Sequence, residues 1–313
     1  MKRIGLVGAR GHTGRELIAL IGRRNDMTLD FAVSRAMAGE AVSAAAPGGP
    51  SGLLFENLGP EDVAARGADA VILAMPNGEA AAWVAAIDAA APDAVIVDLS
   101  ADYRFDEAWT YGLPELYGRE HLKKATRISN PGCYATAGQI CVHPMRDALS
   151  GAAHLFGVSG YSGAGTTPSR KNDLAALENN LMPYSLAGHL HEREMARHLG
   201  APVRFSPHVA SFFRGLTVTA QLSFDHEVDE EALRAAYHAA YDGEALIRIS
   251  DTIPEITDGA NAPGAVVGGF AVSADRKGAV MVCALDNLLK GAAVQATQNL
   301  ALALGLSELD GIS

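Results

Sequence analysis

The 313-residue sequence predicts an α/β protein in two parts: an N-terminal doubly wound parallel sheet, then an α+β domain with a mostly antiparallel sheet. Two observations predict it. Over the first half, short apolar runs alternate with stretches of helical spacing, the signature of right-handed βαβ units. From about Leu155 the runs become rich in Val, Phe and Thr with few helices between them, which is the pattern of antiparallel pairing.

In chain order, residues 3–8 form an apolar run that ends in glycine and reads as a buried parallel strand. Residues 13–22 follow with helical spacing, Leu17, Ile18 and Ile21 on one side. Residues 29–33, 70–74 and 94–99 read as further buried strands, the last two separated by an alanine-rich helix over 79–90. The Gly- and Pro-rich stretch 46–52 reads as a surface loop. In the second half, 203–205, 216–224, 247–249, 266–273 and 279–285 read as strands, with a helix over 229–241. Residues 287–304 read as a final helix, its apolar stripe running from Leu288 to Ala303. The expected domains are 1–132, completed by the C-terminal segment 286–313, and 133–285.

Composition narrows the function classes. A 49% hydrophobic and 19% charged chain describes a soluble globular protein. A formal charge of −11 argues against a nucleic-acid partner, since phosphate backbones are bound through clustered Lys and Arg. No apolar stretch approaches the roughly 18 residues of a membrane span. The first apolar run breaks too early for an export segment, so a cytoplasmic location is expected. The cysteines at 133, 141 and 283 are odd in number and unpaired in spacing, which fits a reducing compartment. Without a CxxC pair, no metal site is expected.

Gly8-Ala9-Arg10-Gly11-His12-Thr13-Gly14 lies between the first strand and the first helix. Its GxxGxxG spacing is a variant of the dinucleotide fingerprint of Rossmann-type sheets: the glycines let backbone approach a pyrophosphate, and the helix N-terminus stabilises it. The second strand ends Val33-Ser34-Arg35, with no acid before Glu40. An acid there would hold the ribose hydroxyls of NAD; a hydroxyl and a guanidinium suit a 2′-phosphate, so NADP is expected.

Ser129-Asn130-Pro131-Gly132-Cys133-Tyr134-Ala135-Thr136 is the most informative stretch. Pro131 and Gly132 force a turn, and a helix-favouring run follows to about Leu149. Cys133 therefore falls at a helix N-terminus, where free amides and the dipole favour thiolate and could hold an oxyanion. Cys141 and Cys283 read as small core hydrophobes. A thiol needs a base. In Gly188-His189-Leu190-His191-Glu192-Arg193-Glu194 two histidines stand two apart, a spacing that points them away from each other on a helix and disfavours a zinc pair. Either one could serve as acid/base.

Assembled, these residues resemble the N-acetyl-gamma-glutamyl-phosphate reductase family of arginine biosynthesis, related to aspartate-semialdehyde dehydrogenase. The resemblance runs nearly the whole length. It includes G-A-R-G-H-T-G-R-E-L (8–17), V-D-L-S-A-D-Y-R-F (97–105), S-N-P-G-C-Y-A-T (129–136), S-G-A-G (162–165), H-L-H-E-R-E (189–194) and D-N-L-L-K-G-A-A (286–293). It implies an NADPH-dependent reduction of an acyl phosphate to an aldehyde through a cysteine thioester. By position, Cys133 matches the nucleophile and His191 the acid/base, with Glu194 orienting it. Arg104, Arg214 and Asn130 match substrate- and phosphate-binding positions. Gly8, Arg10, Gly11, His12, Thr13, Gly14, Ser34, Arg35 and Asn287 fall where the cofactor is held, and a homodimer or homotetramer is implied. Three positions depart from the family pattern: Leu190 stands for the usual arginine, Asn77 for histidine in L-P-H-G, and Ala135 for proline. The alternatives are the same chemistry on an aspartyl or aminoadipyl phosphate, or an NADP-sensing protein without catalysis.

Overall fold

Seven short strands form the first of two sheets in a computed structural model, which describes residues 1–312; Ser313, the end of the expected 286–313 segment, lies outside the described residues. These strands are β1 (Lys2–Val7), β2 (Met27–Val33), β3 (Phe55–Glu56), β4 (Ala70–Leu73), β5 (Val95–Asp98), β6 (Thr110–Tyr111) and β7 (Arg127–Ser129). Their order is β3-β2-β1-β4-β5-β7-β6, and every pair is parallel. All residues of β4 and β5 are buried, as expected where helices cover both faces of a parallel sheet. The strand order reverses at β1, which lies between β2 and β4; open α/β sheets bind ligands outside the carboxyl ends of the strands at such a point.

The chain divides into two compact units, one of Met1–Gly132 with the chain from Ala292 onward, the other of Cys133–Gly291. Residues 286–291 were expected with the first unit but belong to the second. The physical reason is Asp286, a buried carboxylate that accepts from Arg214, Asn261, Leu288 and Leu289 of the second unit. The expected helix over 287–304 is also two pieces, a π-turn over Leu289–Ala293 and an α-helix over Val294–Ala303.

In the second unit the strands are β8 (Ala153–Gly160), β9 (Met182–Pro183), β10 (Val203–Ala210), β11 (Leu216–Ser223), β12 (Ile247–Ser250), β13 (Ala265–Val272) and β14 (Gly278–Leu285). Their order is β12-β13-β14-β11-β8-β10-β9. The central pairs are antiparallel, while β8–β10 and β12–β13 are parallel, so the sheet is mostly antiparallel as the sequence predicts. Helices Cys133–Val142 and Glu230–Tyr241 pack on it. The Cys133–Val142 helix stops well short of Leu149 because Pro144 disfavours helical backbone before it; a 3-10 stretch follows over His143–Ala148. The Tyr241 hydroxyl donates to the Ile140 carbonyl at 2.7 Å and Tyr237 to that of Cys141, satisfying carbonyls that a helix end leaves open.

Along β8 and β10 buried and accessible residues alternate, so one face of this sheet is open: His154, Phe156, Arg204 and His208 stand on it. The stretch 46–52 is not wholly superficial, since Ala46 is buried. No described helix is long and apolar enough to cross a membrane.

Candidate active site

In the first unit, the turn after β1 brings the expected nucleotide residues together. Gly8 has φ +80°, and a Cβ there would stand 2.1 Å from the Ala74 carbonyl oxygen, so no other residue fits. Ala9 N–H donates to the Val33 carbonyl at 3.2 Å, which seats the turn against the end of β2. Gly11 precedes the His12–Gly22 helix, which has no side-chain cap and no acid in its first turn, leaving its amides for an anion. At Gly11 an added Cβ would meet nothing closer than 3.6 Å, so the backbone face is open to a ligand. His12 and Thr13 are half-buried, Gly14 is buried and Arg10 is exposed. Burial, then Arg15, hold the His12 imidazole below its usual pKa.

Ser34 is buried and Arg35 exposed, at the start of a 3-10 turn after β2. The Ser34 N–H donates to the Glu56 carbonyl at 2.9 Å, and the Glu56 carboxylate is paired with Arg66. These residues fit a nicotinamide dinucleotide, the uncapped helix start offering its free amides to an anion.

Two residues expected at the substrate carry internal duties in this unit. Arg104 is buried; its Nε donates to the Asn130 carbonyl at 2.9 Å and its Nη2 to the Leu99 carbonyl at 2.8 Å. Asn130 is buried too, its Oδ1 accepting from Asn299 at 3.0 Å and its Nδ2 donating to the Ala292 carbonyl at 3.3 Å. Both fix the chain that leads into Cys133.

In the second unit, Cys133 is the first residue of its helix. It is half-exposed, whereas every later residue of that helix is buried. The π-turn packs against it: a Cβ at Gly291 would lie 2.6 Å from the Cys133 Cβ, so only glycine allows the approach. Cys141 and Cys283 are fully buried, as expected of core residues. Burial raises the hydroxyl pKa of Tyr134 and of Tyr184, and the charge of the neighbouring Cys133 adds to the rise in both. The Tyr134 hydroxyl donates to the His208 carbonyl at 2.5 Å.

The helix Leu190–Leu199 separates the two histidines by role. His189 is its N-cap, accepting at Nδ1 from the His191 N–H at 3.1 Å. Burial, followed by the Lys171 charge, keeps the His189 imidazole below its usual pKa. His191 stands in the first turn, its ring 6.0 Å from Tyr134 and 4.9 Å from His189, both edge-on. Glu194, three residues along the same helix face, is fully buried. Glu192 secures the helix start, accepting from Phe205 N–H at 2.8 Å and from Gly188 N–H at 3.3 Å.

Arg214 forms a two-point pair with buried Asp286, at 2.6 and 3.0 Å. That carboxylate also accepts from the N–H groups of Asn261, Leu288 and Leu289 at 2.7, 2.8 and 3.1 Å. Asn287, expected at the cofactor, accepts from Gly215 N–H at 2.7 Å and donates to Ser162 Oγ at 2.8 Å. The sequence reading missed Asp286, Tyr134 and Tyr184. Asp286 and Tyr134 stood within the quoted motifs 286–293 and 129–136 without a role assigned to them, whereas Tyr184 carried no signal.

Comparison with known proteins fits this arrangement. The family profile described as "Semialdehyde dehydrogenase, NAD binding domain" matches residues 3–125, and "Semialdehyde dehydrogenase, dimerisation domain" matches 133–287. An N-acetyl-gamma-glutamyl-phosphate reductase of Xanthomonas campestris pv. campestris is 53% identical over 99% of this chain and 98% of its own. One of Stenotrophomonas maltophilia is 54% identical over 99% and 97%. The chain belongs to the N-acetyl-gamma-glutamyl-phosphate reductase family. It is an oxidoreductase with a nicotinamide-nucleotide-binding domain, as this reductase family requires. Among solved structures, aspartate semialdehyde dehydrogenase II of Vibrio cholerae, complexed with ASA, superposes with a TM-score of 0.78 at 16% identity, covering 97% of this chain and 98% of that one. Aspartate semialdehyde dehydrogenase with NADP from Candida albicans gives 0.73 at 15% identity, covering 100% and 99%. These neighbours share the fold with the reductase family.

Proposed function

We propose that this protein reduces N-acetyl-gamma-glutamyl phosphate to N-acetylglutamate 5-semialdehyde with NADPH, through a thioester on Cys133, as a cytoplasmic step of arginine biosynthesis. The observation that carries the reading is the one accessible thiol among the described residues, on the first residue of an otherwise buried helix. There the free amides of the first turn favour thiolate over thiol and stand ready for an oxyanion.

His191 takes the proton from the Cys133 sulfur, and the buried Glu194 carboxylate orients the imidazole. The thiolate adds to the acyl phosphate carbonyl. The C–O bond to phosphate then breaks, leaving a thioester and inorganic phosphate. A bound NADPH supplies the hydride that reduces the thioester. The first-turn amides hold the oxyanion of the resulting thiohemiacetal, whose collapse releases the aldehyde and returns the sulfur as thiolate. His189, engaged as a helix cap, keeps the His191 backbone in place. Gly8, Gly11 and the start of the His12–Gly22 helix would hold the pyrophosphate, and Ser34 and Arg35 the 2′-phosphate. The open face of the second sheet, with the Phe156 and His208 rings tilted against each other at 4.4 Å, supports assembly as a homodimer or homotetramer.

The test is a steady-state assay with N-acetylglutamate 5-semialdehyde, phosphate, and NADP or NAD. Aspartate semialdehyde and an aminoadipate-derived semialdehyde serve as competing substrates. The acetylated compound with NADP is expected to give the highest kcat/KM; a faster competitor would reassign the substrate. Arg35→Ala is expected to raise KM for NADP about tenfold while leaving NAD nearly untouched, the loss of one charge-assisted contact. Equal effects on both would remove Arg35 from the 2′-phosphate site.

A further inference from the structure

We propose that Lys171 receives the carboxylate of the substrate and thereby makes the site selective for acyl phosphates that carry one. The proposal rests on the reductase reading above and names a residue that its sequence pattern did not. Both arginines expected to bind anions already bond to the protein, Arg104 to the carbonyls of Asn130 and Leu99, Arg214 to Asp286.

Lys171 differs from them. It is half-buried, and among the described residues no carboxylate pairs with it. Its ammonium stands 4.8 Å from the centre of the Tyr184 ring. That ring meets His189 at 5.6 Å, and His189 meets His191 at 4.9 Å. The Tyr184 and Tyr134 hydroxyls influence each other's ionisation, and Tyr134 is the residue after Cys133. Cation, imidazoles, phenols and thiol thus form one cluster within the second unit.

The turn that carries Lys171 is built to hold still. Asn172 accepts at Oδ1 from the Ser169 N–H at 2.8 Å, and its Nδ2 donates to the carbonyls of Gly165 and Thr167 at 2.9 and 2.8 Å. An ammonium on an aromatic face keeps its three donors for another partner. The charge is felt at the site, since it helps hold His189 below its usual pKa.

The position suits a carboxylate better than the leaving phosphate. Phosphate is bonded to the reacting carbon and must lie at the sulfur. The carboxylate of an N-acylglutamyl phosphate is at the far end of the chain, and Lys171 meets the Tyr184 ring, which in turn feels the charge of Cys133. A single ammonium is a point charge matched to a monovalent anion.

The test uses the full-length enzyme in the oxidative direction, with N-acetylglutamate 5-semialdehyde and its carboxylate methyl ester as paired substrates. For Lys171→Met, KM for the acid is expected to rise about 10- to 100-fold with kcat little changed. KM for phosphate and for NADP should stay the same, and the preference for acid over ester should vanish. Lys171→Arg should restore much of that preference, which excludes mere misfolding as the cause. Retention of the wild-type KM and preference by Lys171→Met overturns the proposal, as does a rise confined to the phosphate KM. Should the wild-type enzyme oxidise neither compound, the reductase reading itself is lost and the proposal with it.

Discussion

Cys133→Ser is expected to bind NADPH as the native protein does and to lose turnover by roughly a thousandfold or more. The substitution exchanges sulfur for oxygen at a half-exposed position and leaves the buried remainder of the helix unaltered. A serine hydroxyl at the same place is barely ionised at neutral pH, because a helix N-terminus shifts a pKa by only a few units. The acyl phosphate would meet a neutral alcohol. Cofactor titration by fluorescence and single-turnover assay separate the two consequences, and substantial residual turnover would move the covalent step to another residue. Gly291→Ala offers no equivalent probe, since its Cβ would collide with that of Cys133 and disturb position and chemistry together.

For His191→Ala the expected loss is about 10²- to 10⁴-fold in kcat, with little change in cofactor affinity. The ring lies against Tyr134 and beside His189, while His189 and Glu192 fasten the helix start through their own hydrogen bonds. The acidic limb of the pH–rate profile should flatten in the variant, since the group that must be neutral to accept the thiol proton is gone. An unaltered rate and profile would hand the proton transfer to another group. His189 is the poorer substitute: its Nδ1 already accepts the His191 N–H.

Much of the fold was legible because parallel strands buried on both faces must be apolar throughout. The first sheet's strands at 3–8, 29–33, 70–74 and 94–99 announce themselves for that reason. The thiol's place at a helix start was legible from Pro131 and Gly132, whose backbone restrictions are local. The strand Ala153–Gly160 was not, since its glycines and small residues carry little β signal. Neither were the duties of the two arginines: Arg104 reaches a carbonyl 26 residues away, and Arg214 a carboxylate 72 residues away. Charge type and motif position suggest an anion site; only tertiary partners show how much of a guanidinium remains for one. The π-turn at Leu289–Ala293 interrupts what periodicity reads as one helix, and it places Gly291 tightly against Cys133, a contact invisible in the spacing.

Because β8 and β10 run in the same direction, the chain between them must travel the full length of the sheet and return before the two can zip together. That excursion carries both Lys171 and His191. The side-chain cluster of the second unit is thus completed by a long-range closure, slow for reasons of chain entropy, while the Cys133–Val142 helix needs only neighbours in sequence. During refolding from denaturant, helical ellipticity should return first and enzymatic competence lag behind it. Simultaneous recovery of the two signals would show that the excursion is ordered before the strands meet.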